Sequence, residues 1–398
     1  MTIKKMIPYG RQEIFKEDID AVVSVLKSDF LTQGPCVPNF QGAVENKIGV
    51  KFSCATNSAT SALHISCLAL GVGPGDSVWT SPNSFVASSN AALYCGASVD
   101  FIDINSETLN IDVLALEEKL RVAKRLNNLP KVVIPVHFAG LPCDMIRISE
   151  LSHEYGFKII EDASHALGAS YFDKLNSAES LIGSCDHSDI CVLSFHPIKM
   201  ITTGEGGMAT TNDSKLFERL LLFRSHGVTS NKKLFDKRPK GELWNYQQIE
   251  LGFNYRMTDI HAALGISQLK KLDYFLEQRR DVASQYFARL TELPITIQAQ
   301  TSKSSHHLYT ICINPDLTSK SQKQAFDHFL DMGIGANLHY IPIYLQPFYE
   351  NLGFRRGYCP NAEFYFRNCL SLPIFTTLRR SEIDYVVNTL FEFFQSDV

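Results

Sequence analysis

The chain has 398 residues, with Lys plus Arg 38 against Asp plus Glu 42 and a formal net charge of -4, so it lacks the basic excess of a nucleic-acid binder. An apolar fraction of 45% with 20% charged residues excludes a disordered or collagen-like chain. No apolar run reaches the ~18 residues that span a bilayer, and the opening "MTIKKMIPYGRQEI" has no apolar centre of a signal peptide, which points to a cytoplasmic protein of more than one domain.

From Ser53 to Thr211, short β-branched runs alternate with longer segments of helical period, the pattern of a parallel sheet with crossover helices. A helix is expected over Ser58 to Leu70, with a Ser/Thr-rich start that suits an anion and Gly71 just past its end. "GVGPGD", Gly71 to Asp76, follows a helix and precedes a strand, the reverse of a dinucleotide loop, and reads as a helix-terminating turn. Strands are expected at "SVWT" near Val78, "SVDFIDI" near Phe101, "KVVIPV" (131–136), "KIIED" (158–162), "ICVLSF" (190–195) and "GMATT" (207–211). The polar segment 228–252 is long for a connection and is either mobile or functional. From Thr258 to about Leu290 no proline interrupts one long helix or two abutting ones. After Pro294 the pattern turns α+β: a strand near "HLYTICIN", a helix at 319–332, a strand near "ANLHY", and helices at 360–369 and 381–395. The expected organisation is a large α/β domain over 1–257 with a mostly parallel mixed sheet, and a smaller α+β domain over 258–398. The ten cysteines lack CxxC pairing and read as free thiols. "CDHSDIC" lacks zinc spacing, and no metal site is expected.

Two residues raise a chemical question together that neither raises alone. Asp162 ends an apolar strand at the edge where open α/β sheets bind ligands, although a cap or an ion pair explains it equally well. Lys199 sits in the turn "SFHPIKMITTGEGG", and by itself reads as a surface lysine. As a pair they fit pyridoxal phosphate chemistry: the lysine forms a Schiff base and the aspartate keeps the pyridine nitrogen protonated. Desolvation and a neighbouring cation would hold such a lysine partly neutral. "NSATSAL" offers backbone N–H groups and the hydroxyls of Ser58 and Thr60 for the phosphate.

Over nearly its whole length, the chain resembles the DegT/StrS-type sugar aminotransferases, pyridoxal phosphate enzymes of fold type I (aspartate-aminotransferase-like). The resemblance rests on "IPYGRQEI", "LTQGPCVPNFQGAVENKIGVKFSCATNSATSAL", "SPNSFVASSNAALYCGA", "PVHFAGLPCDM", "EDASHALGA", "SFHPIKMITTGEGG", "RSHG", "GFNYRMTDIHAALGISQLKKL" and "HYIPIY". It implies Lys199 as the Schiff-base lysine, Asp162 at the ring nitrogen, His165 near the phenolic oxygen and Phe85 stacked on the ring. It also implies a phosphate cradle of Ser58, Ala59, Thr60 and Ser194, with Asn254 supplied by a neighbouring subunit, hence a homodimer with shared active sites. Within the family the motifs are most similar to the pseudaminic-acid branch. That branch aminates C4 of UDP-2-acetamido-2,6-dideoxy-β-L-arabino-hexos-4-ulose with L-glutamate as donor. There Tyr9, the segment Asp29, Phe30, Leu31 and Thr32, and the segment His339, Tyr340, Ile341 and Pro342 correspond to sugar-nucleotide contacts. Glu205, His196 and His226 are expected in the core or in supporting hydrogen bonds, and "LRR" (378–380) as a solvated surface pair. A deoxysugar dehydratase of the same fold carries histidine in place of the lysine, which Lys199 argues against. A non-catalytic binding protein of this fold would bind ligand without amino transfer.

Overall fold

The computed structural model describes residues 6–173, 178–235, 242 and 244–395. Its first core is a seven-stranded sheet. In chain order β1 (Phe52–Thr56), β2 (Ser77–Thr80), β3 (Ser98–Phe101), β4 (Val132–Ile134) and β5 (Lys158–Asp162) enter it. A hairpin of β6 (Ser170–Asp173) and β7 (Ala178–Leu181) stands apart, and β8 (Ile190–Ser194) and β9 (Gly207–Thr211) complete the sheet in the order β1-β9-β8-β5-β4-β2-β3. Strand β9 is antiparallel to both neighbours, and every other pairing in the sheet is parallel. Parallel strands need crossovers, which seven helices provide or flank: α1 (Lys16–Leu26), α2 (Cys36–Ile48), α3 (Ala59–Ala69), α4 (Ala87–Tyr94), α5 (Val113–Arg125), α6 (Met145–Tyr155) and α7 (Ser214–Arg224). One face of the sheet buries Leu63 and Ile65 of α3 with Ala91 of α4, and the other buries Phe40 and Val44 of α2 with Phe195.

The segments expected at 158–162 and 207–211 are strands with those limits, and "GVGPGD" is the turn between α3 and β2. The two-residue strands β10 (Val228–Thr229) and β11 (Gln247–Gln248) pair within the 228–252 segment, of which residues 236–241 and 243 lie outside the described residues. The expected long helix is two: α8 (Asp259–Leu269) and α9 (Leu272–Leu290). At the join, Lys271 turns toward the buried Asp18 of α1, Nζ to Oδ1 3.3 Å, while Ser267 and Gln268 donate to the same carboxylate at 2.5 and 2.6 Å.

A second core forms around the antiparallel sheet β12 (Ile295–Ile297), β13 (Tyr309–Ile313) and β14 (Cys369–Leu372). It is covered by α9, α10 (Gln322–Asp331) and α13 (Arg380–Gln395), with Tyr286, Tyr309, Phe329, Leu370 and Leu390 buried together. Ile7 of the N-terminal arm joins this core and bridges to Ile334. The short helices α11 (Pro347–Asn351) and α12 (Pro360–Asn368) pack back onto the first core through Tyr349 and Tyr365. The strand expected near "ANLHY" is not one. Asn337 exchanges two backbone hydrogen bonds with Ser371, at 3.3 and 2.8 Å, and the chain then leaves the sheet edge toward the first core.

Candidate active site

The parallel strands converge at one sheet edge, and the ladder places the ends of three neighbours in a row. Thr56 pairs with Gly207, and Gly207 pairs with Ser194. The start of α3 lies directly on Gly207: a Cβ there would stand 2.4 Å from the backbone nitrogen of Ala59, so only glycine allows the approach. Ser58 caps the helix, its hydroxyl accepting from Ser61 N at 3.1 Å, and its carbonyl accepts from Ala62 N. The N–H groups of Ala59 and Thr60 are left without a protein partner among the described residues. With the helix dipole behind them they suit an anion beside Ser194.

On the adjacent strand β5, Asp162 pairs with Val192, two residues before Ser194, which sets the two Cα atoms roughly 8 Å apart. Asp162 is 4% exposed; its Oδ2 accepts from Ser88 Oγ at 2.6 Å and its Oδ1 from Ser164 N at 3.1 Å. Ser88, on α4, is further linked to Ser84 at 2.7 Å. A carboxylate has lone pairs to spare after two such bonds. His165 follows on the same turn, with Nδ1 accepting from Ala139 N at 3.3 Å. Nε2 then carries the proton and donates to Tyr340 Oη at 3.2 Å. Burial first, then the Lys199 charge, holds His165 well below its ordinary value and therefore neutral.

Lys199 lies on the loop that leaves β8, in a turn closed by its own N–H on the His196 carbonyl at 2.9 Å. Burial lowers its amine to about 8; Asp162 opposes the shift and Arg279 assists it. Lys199 Nζ stands 3.5 Å from Nε2 of His307, at the outer limit of hydrogen bonding. His339 is buried nearby: Nδ1 meets Ser371 Oγ at 2.8 Å, its ring lies 5.5 Å from that of Tyr9, and burial followed by the Lys199 charge lowers it to about 3. The Tyr340 N–H donates to Asn83 Oδ1 at 3.3 Å, and Pro342 leads into the buried Ile343, whose N–H bonds the Pro82 carbonyl.

Asp162, His165, Lys199, His339 and Tyr340 thus meet in one cluster. Tyr9 joins it through His339, and Phe85 flanks it, its carbonyl accepting from Ser88 Oγ at 3.4 Å; several of the other expected residues are solvent-exposed in the protomer. Phe85 is 60% exposed, Ile341 is exposed, and Asp29, Phe30, Leu31 and Thr32 are exposed beside α8, where Leu31 O accepts from Asp259 N at 3.0 Å. Asn254 is also exposed, in a segment running along β1 and the start of α3, where Asn57 N donates to Tyr255 O at 2.9 Å. His196, Glu205 and His226 are exposed rather than in the core, because the turns that carry them point outward. Arg379 is a solvated residue paired with Glu382. Ser88, His307 and Arg279 join the site without having been singled out in the sequence. Their signal was weak: a serine in a Ser-rich run, a histidine before a strand, and an arginine inside a charged helix.

These residues fit a pyridoxal phosphate. Two open N–H groups at a helix start suit the phosphate, a buried carboxylate suits the ring nitrogen, and a partly neutral amine suits the aldehyde carbon. The roughly 8 Å between the anion site and Asp162 is a span that a pyridine ring with a phosphate arm covers. Residues 12–391 match the profile described as the DegT/DnrJ/EryC1/StrS aminotransferase family. The chain belongs to this family. It is 39% identical over 389 residues, covering 97% of each chain, to the UDP-4-amino-4,6-dideoxy-N-acetyl-beta-L-altrosamine transaminase of Campylobacter jejuni. Among solved structures it resembles Helicobacter pylori PseC, an aminotransferase involved in the biosynthesis of pseudoaminic acid. The TM-score is 0.87 and the identity 32%, over 98% of this chain and 100% of that one. Spr1654 of Streptococcus pneumoniae, solved in a PLP-form, matches with a TM-score of 0.86 and 28% identity over 99% and 100%. The mostly parallel mixed sheet with its flanking helices is accordingly the type I fold of pyridoxal-phosphate-dependent transferases.

Proposed function

We propose that this chain is a pyridoxal-phosphate-dependent aminotransferase that moves the amino group of L-glutamate onto C4 of UDP-2-acetamido-2,6-dideoxy-β-L-arabino-hexos-4-ulose. The product is UDP-4-amino-4,6-dideoxy-N-acetyl-β-L-altrosamine, on the route to pseudaminic acid. The observation that carries the reading is the pairing of a half-buried lysine, held at about 8, with a buried aspartate at one sheet edge beside an open helix start. The full-length similarity to an altrosamine transaminase supports the choice of sugar.

Bound pyridoxal phosphate supplies a carbonyl that takes up the amino group and a ring that accepts the electrons left at carbon when a proton is removed. Ala59 and Thr60 N–H, with the Ser58, Thr60 and Ser194 hydroxyls, would hold the phosphate. Asp162, oriented by Ser88, would hold a proton at the ring nitrogen, while neutral His165 would face the phenolic oxygen. In each half-reaction the amine of Lys199 would both take and return one proton: from Cα of glutamate to the cofactor carbon that takes up the nitrogen, and in the return half from that carbon to C4 of the sugar. Tyr9, His339 and the 340–342 segment would line the sugar-nucleotide side, a reading that their grouping next to Lys199 and His165 supports.

The exposed 29–32 segment and Asn254 support a homodimer in which a second copy covers and completes each site, while the exposed Phe85 would stack on the cofactor ring. Ten free cysteines fit a reducing cytoplasm. Among the described residues no helix is long and apolar enough to cross a membrane. A panel of UDP- and TDP-4-keto-6-deoxyhexoses with glutamate tests the substrate. Amination of the UDP-2-acetamido sugar at C4 is expected, and preferential amination of a TDP sugar would reassign it.

A further inference from the structure

The chemistry above leaves unused one buried group that touches Lys199. His307 is 3% exposed, its Nε2 lies 3.5 Å from Lys199 Nζ, and its ring packs 4.4 Å from that of His165. Its Nδ1 has no partner among the described residues. Buried polar atoms are nearly always hydrogen-bonded, so an imidazole left half-satisfied calls for a reason.

The chain around His307 is held tightly. Arg279 of α9, 2% exposed, donates through Nη1 to the carbonyls of His306 (3.4 Å), His307 (3.2 Å) and Ile374 (3.2 Å), and through Nη2 to Ile198 O (3.5 Å). One guanidinium therefore ties the lysine loop to the histidine loop. Ser305 Oγ donates to the His165 carbonyl at 2.7 Å, and Gly140 lies so close that a Cβ there would stand 2.2 Å from Ser305 Oγ. His306 takes φ 47, a left-handed conformation uncommon outside glycine, at the point where His307 turns inward.

We infer that His307 is the resting dock for the Lys199 amine whenever the lysine is not bonded to the cofactor, which makes it a positioning residue for both proton transfers. This rests on the aminotransferase reading above. The groups facing the pair are Asp162 from β5, Arg279 from α9, and His165 and His339 from the flanking loops. Burial first, then Lys199, His165, Arg279 and His339, holds His307 well below its ordinary value, whereas Lys199 lies at about 8. The proton taken from Cα therefore stays on Lys199 Nζ. The resulting ammonium donates to neutral His307 Nε2, remains aimed, and within the same half-reaction would release that proton to the cofactor carbon that takes up the nitrogen. His307 neither gains nor loses a proton overall.

Two variants separate this from packing. His307→Phe keeps a ring and removes the acceptor, whereas His307→Gln keeps an acceptor and removes the ring; His307→Leu replaces the first should it not fold. The first readout is the pH midpoint for competitive acetylation of Lys199 in cofactor-free protein, followed by peptide mass. The second is the glutamate half-reaction, split into kcat and KM, with Cα-deuterated glutamate. For His307→Phe the midpoint is expected to fall, because the ammonium loses its acceptor. Its kcat is expected to drop roughly 10²-fold at unchanged KM with a larger isotope effect, and His307→Gln to recover most of both. A His307→Phe protein indistinguishable from wild type in both readouts overturns the inference. So does equal loss in both variants with an unmoved midpoint. A wild-type protein that transfers no amino group would refute the aminotransferase reading yet leave the acetylation comparison standing.

Discussion

The floor and the roof of the site are built differently. The floor consists of element ends: Asp162 closes β5, Ser194 closes β8, and α3 starts on Gly207, all tied by the ladder that pairs Thr56, Gly207 and Ser194. The roof consists of irregular chain, 304–307 and 337–342, held by a few side-chain bonds from Arg279, Asn83 and Ser371. Many cooperative backbone bonds locate a floor residue, so substituting it removes chemistry and leaves geometry. A roof residue is located by one or two bonds, so substitution there shifts geometry by a little. Lys199, on the loop that leaves β8, joins the floor to the roof through His307.

The largest effect expected is at that junction: Lys199→Ala abolishes amino transfer, and persistence of full turnover would remove the lysine from the account. Next comes Gly207→Ala, whose new methyl would press on the backbone of Ser58 and Ala59. Overpacking of this kind costs about 1–3 kcal/mol, and since backbone must yield, the start of α3, proposed to hold the phosphate, is displaced. Weaker retention of pyridoxal phosphate on dialysis and a lower denaturation midpoint are expected, and an alanine protein that keeps both would show that the floor has slack.

The pH dependence sharpens the junction further. The folded value of Lys199, about 8, lies below the ordinary 10.5, so between these the unfolded chain holds a proton that the folded chain has released. Stability from this group therefore rises with pH across that window, and below it the full burial penalty applies. In cofactor-free protein, Lys199→Met should be more resistant to urea than wild type at neutral pH, with the gap narrowing above about pH 8. A gap that widens with pH would contradict the assigned direction.

Smaller effects should separate floor support from roof support. Ser88→Ala removes a donor to the Asp162 carboxylate, a bond to a charged group worth about 1.5–3 kcal/mol, so kcat should fall roughly 10- to 10²-fold with little change in KM. Tyr340→Phe removes the oxygen that accepts from His165, a neutral bond worth about 1 kcal/mol, and a loss of about fivefold is expected. If Tyr340→Phe were the more damaging of the two, the roof would carry more of the chemistry than its construction suggests.

This contrast also explains what could be read from residues alone. Regular elements announce themselves: "KIIED" and "GMATT" are β-branched runs bounded by turn residues, and Ser58 with its serine at N3 marks a helix start. Asp162 and Lys199 were visible because each ends or follows such an element. The roof carries no periodic signal. "ANLHY" looks like a strand by composition, but only Asn337 bridges to Ser371 before the chain departs. His307 precedes the β13 run and shares its apolar surroundings, so nothing local distinguishes it from a core histidine. Arg279 stands in "EQRRDV", which reads as a solvated helix face, and only the tertiary fold turns it toward four carbonyls. The outward turns of His196, Glu205 and His226 were equally invisible, since a loop's direction is set by what it packs against.

The most direct test of the central claim follows nitrogen. Purified protein with pyridoxal phosphate would be given nitrogen-15 L-glutamate and UDP-2-acetamido-2,6-dideoxy-β-L-arabino-hexos-4-ulose, and the sugar nucleotide would be analysed by mass and NMR. The account predicts the label on C4 of the sugar, with 2-oxoglutarate released in equal amount and neither product formed by Lys199→Ala. Bound cofactor with no label in this sugar or in any related UDP- or TDP-4-keto sugar would contradict it.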